Sequence, residues 1–246
     1  MKIISILLVL VITAFLVGCV PVDSLNPIYT DKDVIFEPSL VGTWVGENPD
    51  EGGLRITRAG DNAYQLVMNE RESNSWLKES VFDAHLVSLG GQKFFDVQPR
   101  QLQLSDQATL NAILSKSGIK FEPSLIDIGG GLFLEFLGSG PRKAKSQAVN
   151  VRLRAAHWIF RVDLDHGVLR LEYLDNEWIE NEIKRGTLLA RHQKAATNFD
   201  SKWILTGSTP EMQQFVVGQA DREGAFSGAV VLKQQKGVSG SSNPGT

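Results

Sequence analysis

The sequence predicts a mainly β fold, an antiparallel meander carrying two or three added α-helices. Three observations lead there. Short runs alternate apolar and polar residues with period two through most of the middle of the chain. Turn residues (Gly, Asp, Asn) separate the runs at hairpin spacing. The composition is that of an ordinary folded chain: of 246 residues, 42% are hydrophobic and 22% charged, with a net charge of −3. Such a chain can bury a real core, and it lacks the positive field that nucleic-acid binding needs.

The N-terminus stands apart from this pattern. Lys2 precedes an apolar run from Ile3 to Val17 that only Ser5 and Thr13 interrupt. The run falls short of the ~20 apolar residues that cross a bilayer, and no basic cluster follows it. The layout over residues 1–18 is that of a signal peptide, with the cut between Gly18 and Cys19. Residues 19–38 carry Pro21, Pro27 and Pro38 among polar residues and predict a flexible tether. A single β-rich domain is expected over 39–235. The Gly- and Ser-rich stretch 236–246 predicts a disordered tail.

Within the domain, Leu40–Val45 is a β-prone start. Leu54 and Ile56 then alternate with Arg55 and Thr57, and Gly60-Asp61-Asn62 turns the chain into Tyr64, Leu66 and Met68. Phe82, Ala84 and Leu86 alternate with Asp83 and His85 before Gly90-Gly91 leads into Lys93–Val97. Leu132, Leu134 and Phe136 follow the triplet Gly129–Gly131, which a hairpin or bulge explains better than a phosphate cradle. Trp158, Phe160, Val162 and Leu164 form the next apolar face, and Asp165-His166-Gly167 turns into Leu169, Leu171 and Tyr173. Phe226, Val230 and Leu232 suggest a last strand. Each strand is expected to have one apolar face and one wet face.

Three stretches have helical spacing instead. Ser105–Ser117 places Leu110, Ile113 and Leu114 together. Asp175 can cap Asn176–Arg185, with Gly186 as the stop. Ser208-Thr209-Pro210-Glu211 combines a hydroxyl cap, an early proline and a Glu three residues after the Ser, and it opens a helix reaching about Ala220.

Two short motifs carry resemblances. Leu16-Val17-Gly18-Cys19, with the only cysteine in the chain, resembles the lipobox of bacterial lipoprotein precursors. That resemblance implies a diacylglyceryl group on the Cys19 sulfur and cleavage before Cys19. It also implies a cell-envelope location, anchored to a membrane through that lipid. Val20 follows where Asp would favour inner-membrane retention, which leans towards the outer membrane. Phe82–Pro99 also looks like segments of uncharacterised bacterial lipoproteins, and this implies no activity. Gly42-Thr43-Trp44 resembles the Gly-X-Trp signature of lipocalins and related calycin barrels, in which the tryptophan plugs one end of an eight-stranded barrel. Such a barrel can hold one apolar ligand. Another antiparallel β fold with helical additions satisfies the same pattern.

Reactive chemistry has little foothold. His85, His157, His166 and His192 lack the spacing of metal or catalytic pairs. There is no Gly-X-Ser-X-Gly elbow, P-loop or Gly-X-Gly-X-X-Gly. Glu177, Glu180 and Glu182 read as a polar helix face. Arg142, Lys143, Lys145, Arg152, Arg154 and Arg161 occur without an intervening acid and read as a solvated face, with contact to anionic lipid or to an acidic partner as the alternatives.

The expectation is therefore a non-enzymatic, membrane-anchored protein without cofactor or metal, binding a small apolar or amphiphilic ligand. The alternative is an interaction protein that docks an envelope protein. Strand parity offers Trp44, Tyr64, Phe82, Phe95, Trp158, Phe160 and Tyr173 as pocket candidates.

Overall fold

A computed structural model describes residues 21–48, 52–71, 77–100, 125–129, 132–136, 151–196 and 201–235. The strands are β1 (Asp23–Ser24), β2 (Val34–Ile35), β3 (Gly42–Val45), β4 (Gly52–Arg58), β5 (Tyr64–Arg71), β6 (Leu77–Leu89), β7 (Gln92–Pro99), β8 (Leu125–Gly129), β9 (Leu132–Phe136), β10 (Val151–Ala155), β11 (Trp158–Asp165), β12 (Val168–Leu174), β13 (His192–Ala196), β14 (Ser201–Leu205) and β15 (Phe226–Gln234). Among the described residues, two helices accompany them, α1 (Asn176–Arg185) and α2 (Thr209–Gln219).

The alternating faces close on themselves. β3, β4, β5, β6, β7, β11, β12 and β15 pair antiparallel with their neighbours in chain order, and β15 returns to β3 to complete an eight-stranded barrel. The seam is short, pairing Lys233 with Val45 and Gln234 with Trp44. β6, at 13 residues, serves two partners: its first half pairs with β5 and its second with β7. Beyond the end of β5, β2 takes the vacated edge at Leu86 and Val87. Inside the barrel lies one core, with Trp44, Ile56, Tyr64, Leu66, Leu86, Phe95 and Leu169 buried in it.

A second sheet runs in the order β1-β14-β13-β8-β9-β10. The β8–β9 pair is antiparallel with a register shift between Asp127 and Gly129, as a hairpin or bulge beside the glycine triplet predicts. β1 joins β14 in parallel, a pairing between distant parts of the chain that no local pattern announces. Nothing in the alternation predicted this separate sheet.

The wet-face expectation fails on one side of the barrel. Val87, Phe94, Ile159 and Leu174 point outward from β6, β7, β11 and β12 and are buried in a second core with Met212, Phe215 and Val216 of α2 and Ile179 of α1. These strands are apolar on both faces because helices cover their outer side.

The tether expectation for residues 19–38 also fails from Pro21 onward. Val22, Leu25 and Ile28 are buried, and Leu25 helps form a third small core with Ala156, Ala195 and Ile204. The prolines and polar residues hid a segment that is held by isolated apolar anchors rather than by a periodic face. The expected signal peptide, the helix over Ser105–Ser117 and the tail over 236–246 lie outside the described residues.

Both described helices follow their caps. The Asp175 carboxylate accepts from the Trp178 amide at 2.7 Å, and Gly186 ends α1 in the left-handed region at φ 70°. Ser208 and Glu211 form a reciprocal capping box at α2, with Pro210 in the first turn. The Ser208 hydroxyl and amide and the Arg191 guanidinium bring the Glu211 carboxyl down to about 2 from its ordinary 4.5. A carboxyl depressed in the folded state stabilises the fold above its ordinary range, and that stabilisation is lost as pH falls towards the folded value. Glu211→Gln is expected to lower the melting temperature at pH 7. The deficit relative to the parent chain should shrink as pH falls from 4.5 towards 2, measured by thermal denaturation across that range.

Candidate functional site

The barrel interior is not filled evenly. Towards one end, packing is dense. Leu40, on a 3-10 turn over Pro38–Leu40, accepts the Trp44 indole N–H at 2.8 Å, and Trp44 is fully buried. The Tyr64 hydroxyl accepts from the Glu37 amide at 2.6 Å, and its ring stacks on Phe36 and meets the edge of Phe95. Burial raises the Tyr64 phenol above its ordinary value. A short turn leading into Gly42-Thr43-Trp44, with the indole buried, is compatible with a lipocalin-like barrel.

Moving along the strands to the other end, the interior opens into a cavity of about 290 Å³. Its walls come from alternating positions: Leu54 on β4, Leu66 and Met68 on β5, Phe82 on β6, Phe95 and Val97 on β7, Trp158 and Phe160 on β11, Leu171 on β12, Val230 and Leu232 on β15. Gly46, Asn48, Gly52, Gly53 and Asn69 complete the rim. Among the described residues, no charged side chain lines it. Among the described lining residues, Asn48, Asn69 and Trp158 carry polar side-chain atoms.

Of the seven pocket candidates, Phe82, Phe95, Trp158 and Phe160 line this cavity. Trp44 and Tyr64 belong to the packed end. Tyr173 is buried at the β12–β15 bulge, where its ring lies so close to Gly228 that a Cβ there would sit 1.9 Å from the ring. Gly228 also holds φ +60°, so glycine is required there on both counts. The other six candidates belong to the barrel-interior core. Parity could not tell which end of the barrel is packed.

Trp158 links the cavity to the N-terminal segment. Its indole N–H donates to Asp23 at 2.7 Å, and Asp23, itself buried, pairs with Lys202. Trp158 also packs against Phe82 inside and against the third core outside.

A buried polar cluster lies on the outer side of β7 and β11. Asp96 is 1% exposed, and its carboxylate contacts His157 Nδ1 at 2.5 Å and accepts from the Ile28 amide at 2.8 Å. His157 Nε2 faces the Gln98 amide nitrogen at 3.1 Å, and the His157 backbone pairs with Ser24 in both directions. These partners occupy the polar atoms of the dyad and tie it to the docked segment. Sequence reasoning passed over both residues. The signal was a single acid inside the apolar run Phe94-Phe95-Asp96-Val97, since an unpaired carboxylate is not left in such a strand.

The other histidines are dispersed. His85 stacks on Tyr29 with centroids 4.1 Å apart, and burial lowers its imidazole below the ordinary value. The wet face expected for His85 is therefore covered. His166 is exposed in the β11–β12 turn, and His192 sits edge-on to Trp203. Among the described residues, no group of three or more His, Cys, Asp or Glu is placed to hold a metal ion. Of the basic stretch, Arg161 engages Glu172 and the Ala220 carbonyl, so it belongs to a structural ion-pair network. Arg142, Lys143 and Lys145 lie outside the described residues, as do the side chains of Arg152 and Arg154.

In comparisons with known proteins, no family model matches the chain, and no curated protein or solved structure matches it. The functional reading therefore rests on the barrel's own geometry.

Removing one partner of a buried, hydrogen-bonded polar pair leaves the other unsatisfied and costs about 2 kcal/mol. His157→Ala is expected to destabilise the chain by about that amount. Amide exchange at Ser24 and Ile28 should accelerate before exchange in the barrel strands; uniform acceleration would show that the dyad does not act on the docked segment.

Proposed function

We propose that this chain is a non-enzymatic binding protein of the lipocalin-like kind, which takes a small apolar or amphiphilic ligand into its barrel. The observation that carries the reading is the open, apolar half of the interior. A core that served stability alone would be packed to crystal-like density throughout, since empty space forfeits dispersion contacts. Here one end is plugged by Trp44 and the other end holds a hollow of about 290 Å³ with no charged lining among the described residues. Preformed apolar concavities with a few polar groups at the rim are the usual form of small-molecule sites.

We propose further that the protein is a lipoprotein anchored to the bacterial envelope, with the outer membrane favoured. Leu16-Val17-Gly18-Cys19 supports this reading. Two or more acyl chains at Cys19 would give stable attachment, because each buried methylene contributes about 0.8 kcal/mol. Cys19→Ser is expected to abolish incorporation of labelled fatty acid and to shift the chain out of the membrane fraction; unchanged labelling would remove the anchor from the reading.

The cavity is tested with uncharged alkyl probes that carry a photoreactive diazirine, added to the full chain in lipid nanodiscs. Affinity from saturable labelling is expected to rise about fourfold per added methylene until the hollow is full. Val230 lines the rim and is 46% exposed, so Val230→Trp places an indole across the mouth at little cost to folding. That variant is expected to lose the saturable labelling while bilayer partition stays constant. Equal labelling of parent and variant would refute the ligand reading.

A further inference from the structure

We propose that the β13–β14 face carrying Lys194 and Trp203 rests on the membrane that holds the lipid anchor. The Lys194 ammonium meets anionic lipid head groups there, and the Trp203 indole lies among them. This rests on the lipidation of Cys19 and specifies which side of the domain meets the bilayer.

Chain length sets the geometry. Cys19 and Pro21 are two residues apart, and an extended chain covers at most about 3.6 Å per residue, so Pro21 lies within roughly 7 Å of the lipid-bearing residue. Pro21 is itself held to the domain. It bridges Asp175, the Val22 amide donates to the Leu174 carbonyl at 3.2 Å, and the Val22 side chain is buried. A flexible tether would let the domain turn freely above the bilayer. The docked segment takes that slack away, so the surroundings of β1 are kept close to the head groups.

β1 runs parallel to β14, with Asp23 beside Ile204. The same register brings Val22 alongside Trp203, and Trp203 pairs with Lys194 on β13. Neighbouring strands are about 4.8 Å apart, so Val22, Trp203 and Lys194 form a row about 10 Å long on one face of this sheet. The second core covers that face at Val22. Further along the row the face opens: Trp203 is half-buried and Lys194 exposed. Lys194 Nζ lies 5.0 Å from the centre of the Trp203 ring, and the His192 ring meets the indole edge-on at 5.2 Å. Among the described residues, no acid pairs with Lys194. Lys202, on the opposite face, is instead bound to Asp23 at 2.5 Å.

An indole with a lysine over it suits the boundary between a membrane and water. The ring takes the border between apolar and wet layers, and the ammonium reaches the phosphates. In a chain with a net charge of −3, an unpaired cation beside the anchor is the local charge that complements an anionic surface. One such contact is weak alone, and it suffices here because the anchor makes it intramolecular.

The test uses the full lipidated chain in nanodiscs. Lipidation blocks Cys19, the only cysteine, so Lys194→Cys, Lys233→Cys and Asp61→Cys each offer one free thiol for a bimane at an exposed position. Lys233 stands beside Val168, about 20 Å along β12 from Leu174, and Asp61 lies in the β4–β5 turn at the packed end of the barrel. Nitroxide-bearing lipid is expected to quench the Lys194→Cys bimane and to leave the other two bright. In the parent chain, acylation of the Lys194 amine is expected to be about fivefold slower with phosphatidylglycerol present than in phosphatidylcholine alone. The Lys233 amine should react at one rate in both. Quenching at Lys233→Cys or Asp61→Cys that equals or exceeds that at Lys194→Cys overturns the placement alone. A Lys194 rate that ignores the lipid also overturns it, leaving the face to a protein partner. A parent chain that carries no fatty acid on Cys19 overturns the anchor and the placement together.

Discussion

The rest of this structure depends on four barrel strands that must bury both faces. On β6, β7, β11 and β12 the inward residues Leu86, Phe95, Phe160 and Leu171 alternate with Val87, Phe94, Ile159 and Leu174, which point outward and are equally apolar. A large side chain left in water forfeits roughly 1.5–3 kcal/mol. Several such residues together rival the whole net stability of a domain, which is about 5–15 kcal/mol. The barrel therefore cannot stand bare. Helices α1 and α2 and the segment around Val22 and Ile28 supply the missing cover. They are parts of the fold on the same footing as the strands.

That cover also shapes the cavity from outside. Trp158 has one foot in each region: its ring lines the hollow, and its N–H is held by Asp23 of β1. Asp96 and His157, two strands' worth of outward-facing polar chemistry, hold the same segment at Ile28 and Ser24. Buried polar pairs of this kind add little net stability over apolar packing, yet they punish misplacement strongly. Their effect is to specify one seating of the N-terminal segment. Through Trp158, that seating determines one wall of the cavity.

Legibility in the sequence followed the range of each interaction. Hairpin strands such as Phe82–Leu86 and Trp158–Leu164 were readable, because pairing partners are near in sequence and parity repeats. The two capped helices were readable for the same reason, since Asp175, Gly186 and the Ser208–Glu211 box act within a few residues. What stayed hidden was non-local. β1 pairs with β14 in parallel, Asp96 meets His157 across 61 residues, and Ile28 is a solitary anchor between prolines and polar residues. Of the seven pocket candidates, Trp44, Tyr64, Phe82, Phe95, Trp158 and Phe160 belong to the barrel-interior core, and Tyr173 does not. Trp44 and Tyr64 still fell at the packed end, because depth along a barrel axis leaves no trace in an alternation of period two. The rim at Gly52-Gly53 was invisible for a related reason: glycines carry no side chain for parity to sort.

The seam of the barrel has a consequence for how the chain reaches its native state. β3 lies near the start of the barrel and β15 at its end, so Trp44 and Val45 wait for Gln234 and Lys233 before the ring can close. Bringing such distant residues together pays a large loop entropy before any contact is gained, which makes topologies of this kind slow to fold. A growing chain would hold an open, curved sheet with an exposed edge on β3 until its last strand emerged. Every residue of β15 is needed before that edge is covered, so truncation at the C-terminus should be far more damaging than its distance from the cavity suggests.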